Sequence, residues 1–137
     1  MWFLILSMGV IAPLAEEIVF RWLIYLRLRD YVRMGAAMVI SGLIFGIYHG
    51  NLVQAVYAGI LGMIFAYFLE ISGCLWGSVL LHMGANIWSL VSPDLVSWML
   101  QKNPMYILIM LFALILILVY GIPYFQARAK GRTKRVL

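Results

Sequence analysis

Long apolar stretches separated by short polar breaks make up almost the whole chain. The first runs from Met1 to about Leu26, with Pro13 inside it. Met1–Ala12 alone would rise only about 18 Å, short of the ~30 Å of hydrocarbon, so the pattern predicts one span kinked at Pro13. Arg27, Arg29, Asp30 and Arg33 form the first break. A second segment from about Gly35 to His49 closes at the turn signal Gly50-Asn51, and a third from about Leu52 to Leu69 ends at Glu70 and Ser72-Gly73. The fourth covers Cys74 to about Val91. Ser92-Pro93-Asp94 and Lys102-Asn103-Pro104 then bound an outer loop with a short interfacial helix at Leu95–Leu100. The fifth runs from Met105 to about Phe125, with Tyr106, Tyr120 and Tyr124 as interfacial aromatics. The expectation is an all-α, polytopic transmembrane helical bundle of about five spans. It is a single membrane domain over residues 1–137, with a basic tail at 126–137.

Composition agrees with this pattern. The chain is 66% hydrophobic and 11% charged, against roughly 25% charged in a soluble domain. Its net charge of +5 does not mark a nucleic-acid partner, because three of the ten Lys and Arg residues lie in Arg27–Arg33 and five in Arg128–Arg135, flanking apolar segments. Placing both groups in the cytoplasm puts the amino terminus outside and the carboxyl terminus inside, which an odd number of crossings allows. Met1–Ala12 lacks the charged start of a cleavable signal peptide. The single cysteine, Cys74, excludes an intrachain disulfide. Gly42 with Gly46, Ala55 with Gly59, and Gly73 with Gly77 are the small-residue pairs expected where helices approach closely.

Few side chains inside the spans can do chemistry. They are Glu16, Glu17, Arg21, Ser41, His49, Gln54, Ser78, His82, Asn86 and Ser89, and they include both histidines of the chain. An ionisable residue in a span costs roughly 2.5–3.5 kcal/mol on the insertion scale and is retained for a reason. Glu17 and Arg21 stack at i,i+4 as an ion pair, which leaves Glu16, about 100° around the helix, free to face a cavity. There a carboxylate is suited to activating water. His49 and His82 could orient that water, bind a metal or donate to an oxyanion, and Asn86, one turn beyond His82, offers an amide donor. Plainer readings stand beside these: a structural Glu17–Arg21 pair, and histidines that only bond neighbouring helices. Counted from the cytoplasmic side at 1.5 Å per residue, Glu16 and His82 lie at matching depths of about 16 and 14 Å, whereas His49 lies about 24 Å in.

Glu16-Glu17-x-x-x-Arg21, Phe45-x-x-x-His49 and His82-x-x-x-Asn86, in that order, resemble the three signature motifs of the CAAX protease and bacteriocin-processing family. This family of intramembrane proteases is also called the Abi or type II CAAX prenyl endopeptidase family. The resemblance covers about Ala12 to Val91 and implies cleavage of membrane-associated peptides or proteins. It implies Glu16 and His49 as activators of water, His82 and Asn86 as oxyanion donors, and Glu17, Arg21 and Phe45 in support. The family has been described both as glutamate-dependent and as metal-dependent. The absence of His-Glu-x-x-His favours the glutamate mechanism without a cofactor; the zinc alternative would use Glu16, His49 and His82. Members usually carry further spans before the Glu-Glu segment, so the resemblance also implies preceding spans or a partner subunit. A non-catalytic immunity or scaffold protein of the same fold is the alternative function, and a small transporter or proton relay a third. Compactness points to a bacterial cell membrane.

Overall fold

The computed structural model describes residues 2–103, 105–121 and 123–124. Among them the chain is helical with no strand, an all-α membrane bundle of five helices. Helix α1 spans Trp2–Arg29, α2 Met34–Tyr48, α3 Leu52–Ser72, α4 Leu75–Lys102, and α5 starts at Met105. Of these, α1 and α3 are long and apolar enough to cross a bilayer by themselves; α2 and Met105–Gly121 are shorter apolar helices.

The first segment forms one unbroken helix through Pro13, with an unusual internal register. Ala12–Glu17 is α-helical, and it is flanked by π-helical turns at Ile5–Ile11 and Ile18–Tyr25. Pro13 is the second residue of the α-helical stretch, and its missing N–H frees a carbonyl of the preceding turn. Elsewhere the turn chemistry sets the boundaries. Asn51 caps α3, its Oδ1 accepting from Gln54 N at 3.1 Å. Gly73 ends α3 in the left-handed region, at φ 63°, and returns its N–H to Leu69 O at 2.9 Å.

Two expectations change. The outer loop with a separate helix at Leu95–Leu100 is absent, because α4 continues through Ser92-Pro93-Asp94 to Lys102. Pro93 removes one backbone donor, a loss that membrane helices tolerate when other groups satisfy the freed carbonyl. Gly73 and Gly77 are not a paired contact stripe on one helix, since Gly73 is the cap of α3 and Gly77 lies in α4. The end of the fifth span at Phe125 and the tail at 126–137 lie outside the described residues.

The chain divides into two compact units, Met1–Trp88 and Ser89–Leu137. In the first, α2 packs tightly on α3 through the predicted small residues. A Cβ on Gly42 would lie 2.8 Å from Gly59 O, and one on Gly46 would collide with Ala55 O. Two buried clusters follow from that approach. One joins Phe20, Phe45, Ala58 and Phe65; the other joins Tyr25, Ala37, Ala66 and Leu69. In the second unit Trp98 stacks on Tyr106 with ring centroids 6.2 Å apart.

Candidate active site

The first unit brings the acidic pair of α1 against His82 of α4, with aromatic rings of α2 and α3 around them. Glu17 is fully buried, and so is Arg21, one turn further on. Arg21 Nε lies 3.1 Å from Glu17 Oε2, outside hydrogen-bond angles, so this contact is held by charge rather than by direction. Arg21 Nη2 donates to Gly62 O at 3.0 Å, and the guanidinium carbon sits 4.5 Å from the Phe45 ring centre and 5.2 Å from that of Phe65. Two aromatic faces thus stand in for water around the cation. Gly62 allows the approach, since a Cβ there would come within 3.3 Å of Nη2.

Glu17 does more than neutralise Arg21. Its Oε1 lies 2.9 Å from His82 Nδ1. An ionised carboxylate only accepts, so Nδ1 carries the hydrogen and Nε2 is the ring atom left to act. The buried imidazole is stacked on Phe65 at 4.6 Å and met edge-on by Phe45 at 5.5 Å, which fixes its plane. Nε2 then faces Glu16 Oε2 at 3.6 Å. That is too long for a hydrogen bond. It is short enough for a proton on either atom to turn repulsion of lone pairs into attraction. With His82 neutral, the two carboxylates and one guanidinium leave one net negative charge; a proton on the cluster removes it.

Glu16 differs from its neighbour in surroundings. Its side chain is 19% exposed where that of Glu17 is 0%. It is the one carboxylate on an apolar groove of about 440 Å³ walled by Val19, Phe20 and Ile24 of α1 and Ile44, Ile47 and Tyr48 of α2. Adjacent carboxylates of one helix therefore have distinct partners, a buried cation for Glu17 and an accessible groove for Glu16.

His49 and Asn86 both bond to backbone carbonyls. His49 terminates α2, and its Nδ1 lies 2.8 Å from Phe45 O. A carbonyl only accepts, so His49 also carries its hydrogen on Nδ1 and offers Nε2. Its ring meets Phe45 edge-on at 4.8 Å, and no ion pair joins it to Glu16 among the described residues. Asn86 Nδ2 donates to Met8 O at 2.9 Å, in the π-helical start of α1. Nor do Glu16, His49 and His82 gather as a metal site: among the described residues no three His, Cys, Asp or Glu side chains do. His82 has both nitrogens directed at carboxylates.

Of the sequence candidates, the structure thus brings together Glu16, Glu17, Arg21, Phe45 and His82, with the His49 ring packed on Phe45. Phe65 and Gly62 are additional members of the same cluster. Gly62 carried a faint signal, lying between Ala58 and Ala66 at helical spacing; Phe65 carried none, being one apolar residue among many in α3.

A sequence model of the family described as type II CAAX prenyl endopeptidase Rce1-like matches residues 1–88. That is the first unit, and it holds every residue of the three motifs from Glu16 to Asn86. The chain belongs to this family. Among curated proteins, the "Putative membrane peptidase YdiL" of Bacillus subtilis (strain 168) is 29% identical over 83 residues. The match covers 61% of this chain and 34% of that protein, so the chain spans about a third of the length of the curated relative it matches. No solved structure matches.

Proposed function

We propose that this member of the Rce1-like family carries the catalytic core of an intramembrane endopeptidase. It hydrolyses a peptide bond in a membrane-associated peptide or protein. The observation that carries the proposal is the divided carboxylate pair, in which Glu17 spends its charge on Arg21 and His82 while Glu16 lines the groove beside His82 Nε2. Family membership and the name of the curated relative support the same reaction class.

In this reading Glu16 accepts a proton from water as its oxygen attacks the scissile carbonyl. The oxyanion that forms is met by hydrogen-bond donors, which contribute most when fixed beforehand in a dry site. His82 is fixed in that sense: with Nδ1–H held by Glu17, its Nε2 is directed beside Glu16 and becomes a donor when the ring takes up a second proton. Asn86, released from Met8 O, adds an amide one turn away. Glu16 returns its proton to the leaving amine as the carbon–nitrogen bond breaks, so water and peptide become acid and amine with no net proton change. His49, whose ring meets that of the groove residue Tyr48 at 5.8 Å, orients water or substrate in this reading. We place the chain in a bacterial cell membrane with the amino terminus outside, and propose that further spans or a partner subunit complete the substrate site.

The test is proteolysis of a candidate membrane peptide in reconstituted vesicles by the wild type, Glu16→Gln and His82→Ala. Each substitution is expected to lower kcat by at least the ~10²-fold attributed to a positioned acid–base group. Cleavage unchanged in both variants refutes the enzyme reading and leaves a non-catalytic membrane protein of the same fold. Cleavage retained in chelator supports the glutamate mechanism, whereas stoichiometric zinc lost in His49→Ala would overturn it.

A further inference from the structure

A second polar cluster lies outside the reaction chemistry just described. The Tyr25 hydroxyl donates to Glu70 Oε1 at 2.6 Å, and Arg29 Nε donates to the same oxygen at 2.6 Å. Arg29 Nη1 also reaches Val32 O at 3.4 Å. Tyr25 is completely buried, and it packs with Ala66 and Leu69 of α3. Glu70 is on α3, as is Gly62, whose carbonyl receives Arg21.

We infer that Tyr25, Arg29 and Glu70 are positioning residues that hold the Glu16–Glu17 pair in phase with His82. The inference rests on the proposed protease reading for its consequence in turnover, but not for its geometry. Glu17, Arg21, Tyr25 and Arg29 follow one another at intervals of four, and each is anchored to another helix: Glu17 to α4, the other three to α3. Eight residues separate Arg21 from Arg29 and likewise Gly62 from Glu70, the latter about 12 Å along α3. Two ties at equal spacing fix both the axial register and the rotation of α1 against α3.

The segment between the ties explains why such fixing matters. Ile18–Tyr25 is π-helical, and Tyr25 is its last residue while Glu17 immediately precedes it. Such turns close i→i+5 rings and are rare without external support. Reversion of one turn to α geometry changes the phase between Tyr25 and Glu17 by about one residue, roughly 100°. That rotation would carry Glu17 away from His82 Nδ1. The Glu70 carboxylate, by accepting from both Tyr25 and Arg29, pins the end of the π-helical stretch and so keeps it from relaxing.

The experiment uses the full chain in nanodiscs, labelled with ¹⁵N-histidine. With only two histidines, the spectrum contains two rings, and Glu17→Gln identifies the Nδ1–H signal of His82. Tyr25→Phe and Arg29→Gln are expected to shift or broaden that signal, with kcat per folded molecule falling about tenfold or more and KM unchanged. A misplacement near 1 Å can cost ~10²-fold. The swapped pair Arg29→Glu with Glu70→Arg is expected to restore both readouts in part. Tyr25→Phe retains the ring that fills the core, so it reports even where Glu70→Ala fails to fold. An unchanged His82 signal in Tyr25→Phe and Arg29→Gln, with only a lower Tm, overturns the inference and leaves a stabilising cluster. A shifted His82 signal alongside proteolysis that Glu16→Gln does not affect supports the positioning and removes the catalytic reading alone.

Discussion

Glu17→Gln isolates the interaction on which the site depends. The substitution keeps shape and removes one charge from a carboxylate that is fully buried beside Arg21 and His82. At the observed 3.1 Å, unit charges attract by about 5 kcal/mol at an effective dielectric near 20. Removing one partner of a buried pair leaves the other charge uncompensated and costs about 3–5 kcal/mol. The two figures agree, so Glu17→Gln is expected to destabilise the protein by that amount. Arg21→Leu alone leaves Glu17 with His82 as its remaining partner and should cost a similar amount. The double variant Glu17→Gln/Arg21→Leu should recover most of the loss, because replacing both members of a buried pair by neutral groups is often close to neutral. Unfolding in micelles by denaturant titration, arranged as a double-mutant cycle, measures the coupling directly. A coupling under about 1 kcal/mol, the range of exposed pairs, would refute the account of a desolvated ion pair. Activity gives the second half of the test, since the double variant should regain stability but not turnover, His82 having lost its charged partner.

Four further outcomes follow from the same contacts. Gly46→Ala drives a methyl into Ala55 O, so α2 and α3 must separate; a loss of about 1–3 kcal/mol is expected in the same titration. Phe65→Leu removes the ring stacked on His82 and one face from Arg21, and should cost at least the ~0.5–1.5 kcal/mol of an aromatic pair, with the His82 ring signals shifted in the labelled spectrum. Glu16→Gln, by contrast, should leave stability within about 0.5 kcal/mol, because Glu16 is partly exposed and meets His82 only at 3.6 Å, beyond hydrogen-bond reach, while proteolysis is lost. Cys74 is exposed at the turn between α3 and α4; an impermeant maleimide should label it in inverted vesicles and spare it in intact cells, and the reverse would overturn the proposed orientation.

The chain's solvent and its helices were legible without a structure, because burial in lipid demands long charge-free runs and internally satisfied backbone, and both leave marks in one dimension. The turn residues Asn51 and Gly73 likewise act locally, as cap and left-handed stop, so the ends of α3 could be read to within a few residues. The three motifs singled out a small set of side chains because ionisable groups in a membrane are too costly to be scattered. Depth counting even matched Glu16 with His82, which the fold brings to 3.6 Å. What the sequence could not assign was partnership. Pro93 reads as a break but lies inside α4, since a long helix can absorb one missing donor when its neighbours supply another. Glu17 reads as the partner of Arg21 by spacing, yet its second oxygen goes to a histidine 65 residues away. Phe65 and the Tyr25–Glu70–Arg29 tie depend on which faces of α1 and α3 meet. Those faces are set by the π-helical register of Ile18–Tyr25 and by the close approach at Gly62. Rotation about a helix axis is a tertiary quantity. It decides which of two adjacent glutamates is buried as a counter-ion and which is left at the groove.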